Sequence, residues 1–281
     1  MRNDNQRSVE GAGGFLWEVN NGGTSLFLFG TIHLGTNDFY PLDPIVEEAF
    51  DNADIVMPEI NANEKSMDQE ALMKLAMFKD GNTLDQVLSK RVYHELSVLL
   101  LKYDMDIKDF HMFQPWLMDL ILVDLATKES NVDSEKSVDL YLLNRAEKLG
   151  KEIVPLESEG VQSEIFSSFT LETQIQALER TVRNFSNLPK ETEQSAHNWL
   201  NRDIQSFKNT RIDFENDGIN KEYFQGINDR RNLEMAEKID QVLRSGLDKR
   251  YFLFVGCFHV ILEPSLPTIL DNKGYNVARI L

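Results

Sequence analysis

The chain has 281 residues, of which 42% are hydrophobic and 10% are aromatic. This content excludes a disordered protein, and a chain of this length buries a core without the help of disulfides. The 29 Lys and Arg residues stand against 46 Asp and Glu residues, which gives a net charge of −17. Such an acidic surface repels nucleic acid and anionic membranes, so neither is expected as a partner.

The first 14 residues are polar and lack the apolar stretch of a signal peptide. The longest uncharged apolar run, residues 251–262, is 12 residues long and therefore too short to span a membrane. We expect no membrane span and, by default, a cytoplasmic location. Export is the alternative if a signal peptide has been removed from the sequence.

The first predicted elements are two strands and a helix. Apolar runs at residues 15–19 and 24–29 flank an Asn/Gly cluster, which is typical of a β-hairpin. A helix is predicted to begin at Asp43 as its N-cap and Pro44 as its first residue. Residues 54–60 then read as a buried strand.

Helical periodicity dominates from residue 65 to residue 246. Residues 83–86, of sequence Thr-Leu-Asp-Gln, fit a capping box that opens a helix. Leu171, Ile175 and Leu178 form one of several apolar stripes, which indicate helices packed in a core. One short strand is predicted within this region, at residues 152–156.

Strand patterns return at the end of the chain. Residues 250–255 read as a buried strand, residues 264–272 as a helix ended by Gly274, and residues 275–281 as a last strand. We therefore predict an α/β (α+β) fold in a single domain, 1–281. Its sheet is built from both termini, and residues 65–246 form a large, mostly helical insertion that acts as a lid.

Two copies of Gly-x-x-His follow two of the predicted strands. His33 lies three residues after Gly30, and His259 lies three residues after Gly256. The carboxyl edge of an α/β sheet is where ligand sites normally form, and glycine lets the chain turn sharply there. If the two strands are neighbours, the two imidazoles lie close together.

A carboxylate, Glu59, is predicted at the end of a third strand. It must be paired or bind a cation, because burying an isolated charge is costly. Two imidazoles and a carboxylate suit a first-row divalent cation that activates water. Without a metal, the same three groups suit general acid–base catalysis. The residues alone leave both alternatives open.

Other polar residues carry weaker signals. Cys257 lies within the second motif and is expected to pack rather than to act as a nucleophile. Asp139 is expected to cap or support a helix that faces the site, and a direct catalytic role is the alternative. Glu157 follows the short strand. It is interpreted either as a second carboxylate of the site or as a charge at the start of a helix.

The sequence resembles the TraB/GumN family, which includes the TIKI proteins. The two Gly-x-x-His blocks and the glutamate are the most specific features of this resemblance, which extends over nearly the whole chain. The other blocks that match in order are Phe15-Leu16-Trp17, Tyr40-Pro41-Leu42, Glu47-Glu48-Ala49-Phe50, Pro115-Trp116, residues 138–142, Leu156-Glu157 and Arg231-Asn232.

The resemblance implies a metal-dependent hydrolase, of the metalloprotease type, that acts on a peptide or small acyl substrate. It assigns metal binding and catalysis to His33, Glu59 and His259. The cation would be manganese or cobalt, with zinc as a further option. Arg231, from the Arg-Asn pair, would bind a substrate carboxylate or stabilise an oxyanion; an ion pair is its structural alternative.

A more distant similarity extends to the erythromycin esterases and the haem-binding ChaN proteins, which share a related α/β core. Two residues depart from the family pattern: Phe258 stands where small residues are common, and Pro58 precedes the glutamate. Two alternatives therefore accompany the metalloprotease hypothesis. One is a metal-independent, esterase-like hydrolase, and the other is a non-catalytic protein that binds peptide, haem or metal.

Overall fold

A computed structural model describes residues 13–61, 63, 69–158 and 160–281. The expectation about a signal peptide falls almost entirely on residues 1–12, outside these ranges. Among the described residues, none of the helices has both the length and the apolar composition needed to cross a bilayer.

A six-stranded mixed sheet forms the centre of the described structure, in the order β4-β3-β5-β2-β1-β6. Four adjacent strands, β4, β3, β5 and β2, run parallel, whereas β1 is antiparallel to both β2 and β6. The strands are β1 (Phe15–Asn21), β2 (Thr24–Thr31), β3 (Ile55–Pro58), β4 (Glu152–Ile153), β5 (Arg250–Gly256) and β6 (Asn276–Arg279). The predicted mixed α/β fold, with its sheet drawn from both ends of the chain, is confirmed.

Helices pack around this sheet and beyond it. A π-helical turn, Gln225–Arg230, joins two of them near the end of the helical region. The α-helices are α1 (Pro44–Asp51), α2 (Gln69–Ala76), α3 (Leu84–Val87), α4 (Lys90–Leu101), α5 (Pro115–Lys128), α6 (Val138–Lys148), α7 (Val161–Ser168), α8 (Leu171–Asn184), α9 (Leu188–Leu200), α10 (Ile204–Asn216), α11 (Lys221–Phe224), α12 (Arg231–Arg244), α13 (Cys257–Ile261) and α14 (Leu266–Asn272).

Short sequence motifs explain the β1–β2 hairpin and the start of α1. The hairpin turns at Gly22, whose φ of +60° lies in the region that glycine tolerates best. The Asp43 side chain accepts a hydrogen bond from the Ile45 amide (2.9 Å), and Pro44 opens α1. The predicted hairpin and helix start are both present.

The apolar residues form two clusters. The larger one surrounds the sheet and includes residues of α6 and α12, such as Leu142 and Met235. The second cluster lies among α4, α5 and α8, with Leu96, Leu122 and Leu178 at its centre. Residues 65–246 therefore contribute to both clusters, and the domain division at these boundaries stays a prediction.

Two local predictions differ from the structure. Thr83 makes no side-chain capping bond, and α3 lasts only one turn because Leu88 returns to an extended conformation. The strand predicted at residues 152–156 is shorter, since Pro155 has no N–H to donate to a ladder. The residues after β4 still run alongside β3, because the Leu156 amide donates to the Pro58 carbonyl (2.9 Å).

Trp199 connects the helical region to the sheet. Its indole N–H donates to the carbonyl of Gly30 at the end of β2 (2.9 Å). Its ring stacks on Phe39 with centroids 5.3 Å apart, and the side chain is fully buried. A residue of α9 therefore contacts the strand that carries the first Gly-x-x-His motif.

Asp119 is a buried carboxyl on α5, a helix that contributes to the second apolar cluster. Only 7% of the residue is exposed, and no described residue hydrogen-bonds to its Oδ1. Burial raises the pKa of this carboxyl to about 6, although a hydrogen bond from Thr181 and the charge of Arg180 act in the opposite direction. Asp119 therefore keeps its proton up to a higher pH in the folded protein than in the unfolded chain.

This pKa predicts that Asp119 weakens the fold as the pH rises. The folded-state value lies above the ordinary 3.8, so the cost of ionising Asp119 is absent below pH 4, grows between about pH 4 and 6, and is fully present above pH 6. Asp119→Asn should raise the free energy of unfolding at pH 7.5 by about 1–2 kcal/mol, and this gain should shrink toward pH 4. Urea unfolding at several pH values measures the difference.

Asp124→Asn, on the exposed side of the same helix, is the matched control and should change stability little at any pH. An Asp119→Asn variant with an unchanged pH dependence would show that this carboxyl has the same pKa in the folded and the unfolded protein.

Candidate active site

A cavity of about 380 Å³ opens at the carboxyl edge of the parallel strands. Its wall is apolar over much of its area, with polar groups gathered where β2, β3 and β5 end. The lining includes His33, Glu59, Gln162, Arg231, Gly256 and His259 together with Ile165, Phe166, Phe207, Ile227 and Phe258. A mostly apolar pocket with a few convergent polar groups is typical of a ligand site.

His33 follows β2 and lies on the cavity wall. Its Nδ1–H donates to Oδ2 of Asp139 (3.0 Å), while the Thr31 hydroxyl donates to the other carboxylate oxygen (2.7 Å). The His33 side chain is 60% exposed, so the ring is accessible from the cavity. The charge of Asp139 and the hydrogen bond to it raise the pKa of His33 to about 9, which favours the protonated ring at neutral pH.

Glu59 follows β3 and is held through both its backbone and its side chain. Its amide donates to the Phe254 carbonyl, and its carbonyl accepts from the Glu157 amide (2.8 Å each). Oε2 accepts a hydrogen bond from the Gly256 amide (2.7 Å), and Oε1 accepts from the Gln162 side chain (3.3 Å). Burial acts to raise the pKa of Glu59, but His259, when protonated, together with Arg231 and His33, outweighs it and holds the pKa well below its usual range.

His259 lies in α13, the short helix that begins directly after β5. Its Nδ1 contacts Oδ1 of Asn232 (2.6 Å), and its Nε2 lies 3.8 Å from Oε1 of Glu59. The Asn232 amide nitrogen donates to the carbonyls of His259 and Pro264, so its oxygen faces the ring. Asn232 can therefore only accept from Nδ1, which leaves the proton on Nδ1 and the lone pair of a neutral ring on Nε2.

Arg231 begins α12 and bridges two buried carboxylates. Its Nε donates to both oxygens of Glu157 (3.0 and 3.2 Å), and its Nη2 contacts Glu157 (2.5 Å) and Glu59. Nη1 donates to the carbonyl of Ile227 in the π-helical turn (3.0 Å). At most one of its five N–H groups remains for a substrate, so the ion-pair alternative describes this arginine in the structure.

The two motif glycines have different surroundings. A Cβ at Gly30 would lie 2.5 Å from the side chain of Val260 and 3.3 Å from the backbone of Cys257. A Cβ at Gly256 would instead lie 3.2 Å from Nε2 of His33 and 3.5 Å from Oε2 of Glu59. Gly30 allows α13 to pack on β2, whereas Gly256 keeps open the space between two polar groups of the cavity.

The two imidazoles have the chemistry of metal ligands. Each ring is oriented through Nδ1, by Asp139 or by Asn232, as metal-bound histidines usually are. Glu59 is less suited as arranged, because Arg231 and the Gly256 amide occupy its two oxygens. Among the residues that the structure describes, no group of three or more His, Cys, Asp and Glu side chains lies close enough to hold a metal ion. The three expected ligands thus share a cavity without forming a ready coordination shell.

Cys257 lines the cavity, but its surroundings do not activate the thiol as a nucleophile. It is buried, and burial raises the pKa of its thiol well above the usual range. His94 and His197 lie on α4 and α9 and do not line the cavity; the same is true of His111. The packing role expected for Cys257 agrees with this environment.

The structure brings together all four residues that the sequence singled out: His33, Glu59, His259 and Arg231. Their roles in catalysis stay predictions. Sequence reasoning gave no role to Asn232 or Gln162, although Asn232 neighbours Arg231 in the Arg-Asn pair. The position of Gln162 on α7 has no signal in the sequence.

Comparison with known proteins agrees with the sequence resemblance. The model of the TraB/PrgY/gumN family matches residues 15–279. The uncharacterized protein YbaP of Escherichia coli (strain K12) is 22% identical over 250 residues, which cover 89% of each chain. An uncharacterized protein of Treponema pallidum (strain Nichols) is 25% identical over 134 residues, 46% of this chain and 40% of that one. No solved structure matches this chain.

The two glycine environments predict different effects of adding a methyl group. Gly30→Ala should lower the melting temperature by about 3–10 °C, because overpacking against Val260 and backbone costs about 1–3 kcal/mol. Gly256→Ala should leave it nearly unchanged, because the exposed end of His33 can move aside. Differential scanning calorimetry of both variants measures the contrast, and equal losses would contradict it.

Proposed function

We propose that this chain, which belongs to the TraB/PrgY/gumN family, is a hydrolase that directs water onto the carbonyl carbon of a peptide or another acyl substrate. The supporting observation is the position of Glu59. It lies 3.8 Å from Nε2 of His259 and accepts from the Gly256 amide, beside the open space that faces Nε2 of His33. A carboxylate between two imidazoles in a cavity suits general acid–base catalysis.

Without a bound cation, the side chains of the cavity suit separate proton-transfer roles. We assign the attacking water to the space beside Gly256, where it can donate its proton to Nε2 of His259. Glu59, held as an anion, then stabilises the imidazolium that forms. His33, oriented by Asp139, carries a proton that its Nε2 can give to the leaving group. Arg231 acts through Glu59 rather than on the substrate.

We also propose a divalent cation, manganese, cobalt or zinc, as the cofactor. In place of the proton-transfer roles above, Nε2 of His33, once it has lost its proton, and Nε2 of His259 would hold it, with Glu59 as the third ligand once one of its oxygens is released by its present donors. When bound, such a cation polarises a carbonyl and acidifies water. The metal-independent hydrolase is the second candidate, since Arg231 already neutralises part of the Glu59 charge.

The test is cleavage of a defined peptide mixture, followed by mass spectrometry, with added Mn²⁺, Co²⁺ or Zn²⁺ and after exhaustive chelation. His33→Ala and His259→Ala should each lower the cleavage rate by about 10²-fold or more, because each removes a proton-transfer or ligand group. His94→Ala, on the exposed face of α4, is the matched control. Elemental analysis of the purified protein and of both variants reports the metal directly.

The outcomes separate the candidates. Loss of cleavage on chelation, restored by one cation, supports the metal-dependent enzyme, whereas cleavage that survives chelation supports the metal-independent one. Full activity of both histidine variants would reject the proposed site. Absence of cleavage together with haem absorbance in the purified protein would favour the binding protein.

A further inference from the structure

Glu157 is a buried carboxylate that the proposed chemistry does not use. It follows β4, and its backbone amide donates to the carbonyl of Glu59 (2.8 Å). Only 5% of its side chain is exposed. The two glutamates therefore leave neighbouring parallel segments side by side, at the same level of the sheet edge.

The guanidinium of Arg231 forms ion pairs with both carboxylates. Arg231 contacts Glu157 through Nε and Nη2, and it contacts Glu59 through Nη2 alone. Glu157 thus takes the broad, two-nitrogen edge of the guanidinium, which is the geometry that a carboxylate binds most strongly. Glu59 receives only one N–H, and its Oε2 stays on the Gly256 amide.

Arg231 carries one positive charge for two buried carboxylates. Glu59 also lies 3.8 Å from Nε2 of His259 and accepts hydrogen bonds from the Gly256 amide and from Gln162. Glu59 therefore does not depend on Arg231 alone, and an ion pair of Arg231 with one glutamate would be complete. The second carboxylate on this arginine, Glu157, requires another explanation.

We propose that Glu157 is a positioning residue, which holds Arg231 so that Glu59 remains on the Gly256 amide and faces His259. Without the charge of Glu157, the two-nitrogen edge of Arg231 becomes available to Glu59. A bidentate pair would then draw the Glu59 carboxylate away from Gly256. For the hydrolase proposed above, that displacement removes the anion next to His259.

The amide of Gly256 reports this geometry without any substrate. A hydrogen bond to a carboxylate shifts an amide proton downfield, so Glu157→Gln should move the Gly256 resonance upfield in ¹⁵N-glycine-labelled protein. Some loss of melting temperature is expected, because Arg231 exchanges charge-assisted hydrogen bonds to Glu157 for neutral ones. If the wild type cleaves peptides, kcat should fall about tenfold or more while KM changes little, because substrate contacts are retained.

Glu152→Gln, an exposed glutamate in β4, is the matched control and should leave the Gly256 resonance in place. If Glu157→Gln does not fold, Glu157→Asp keeps the charge but shortens the reach, and it should move the resonance in the same direction. An unchanged Gly256 resonance in the folded variant, or a lowered melting temperature without movement of that resonance, would overturn the positioning role. Failure to find any cleavage by the wild type would reject the hydrolase and leave the resonance measurement decisive for Glu157.

Discussion

Parallel pairing of β2 with β5 is the constraint on which the cavity depends. The register places Gly30 opposite Val255 and Thr31 opposite Gly256, so both motifs leave the sheet at the same edge. β3 pairs with the other side of β5 and ends there as well, which brings Glu59 to the amide of Gly256. Residues more than 190 positions apart in sequence meet because three buried strands share a direction.

The parts of this arrangement that depend on local sequence were predictable. Apolar runs bounded by glycine, asparagine and proline identified the hairpin and β5, and Asp43 with Pro44 identified the start of α1. The convergence of His33, Glu59 and His259 also followed from sequence. It needed only three strand ends and the rule that parallel strands present their carboxyl ends at one edge.

The hydrogen bonds that orient these residues were not predictable, because the partners come from helices whose packing has no local signal; for Asp139, only a place near the site was expected. Asn232 orients His259, and Asp139 orients His33, from helices that lie on the sheet through apolar contacts. The sharing of Arg231 between Glu59 and Glu157 depends on how α12 approaches the end of β4. α13 was also missed, since five residues after a strand are too few to show a helical period.

The contact of Trp199 with Gly30 has a consequence for how the molecule unfolds. Removing α9 from the sheet would leave the Gly30 carbonyl without its donor and would expose the aromatic rings that pack on the indole. Both costs arise at once, so the helices around Trp199 and the central strands should lose their structure in one cooperative transition. A mutation that removes the contacts of Trp199 should therefore speed hydrogen exchange of the backbone amides throughout β2, and not in α9 alone.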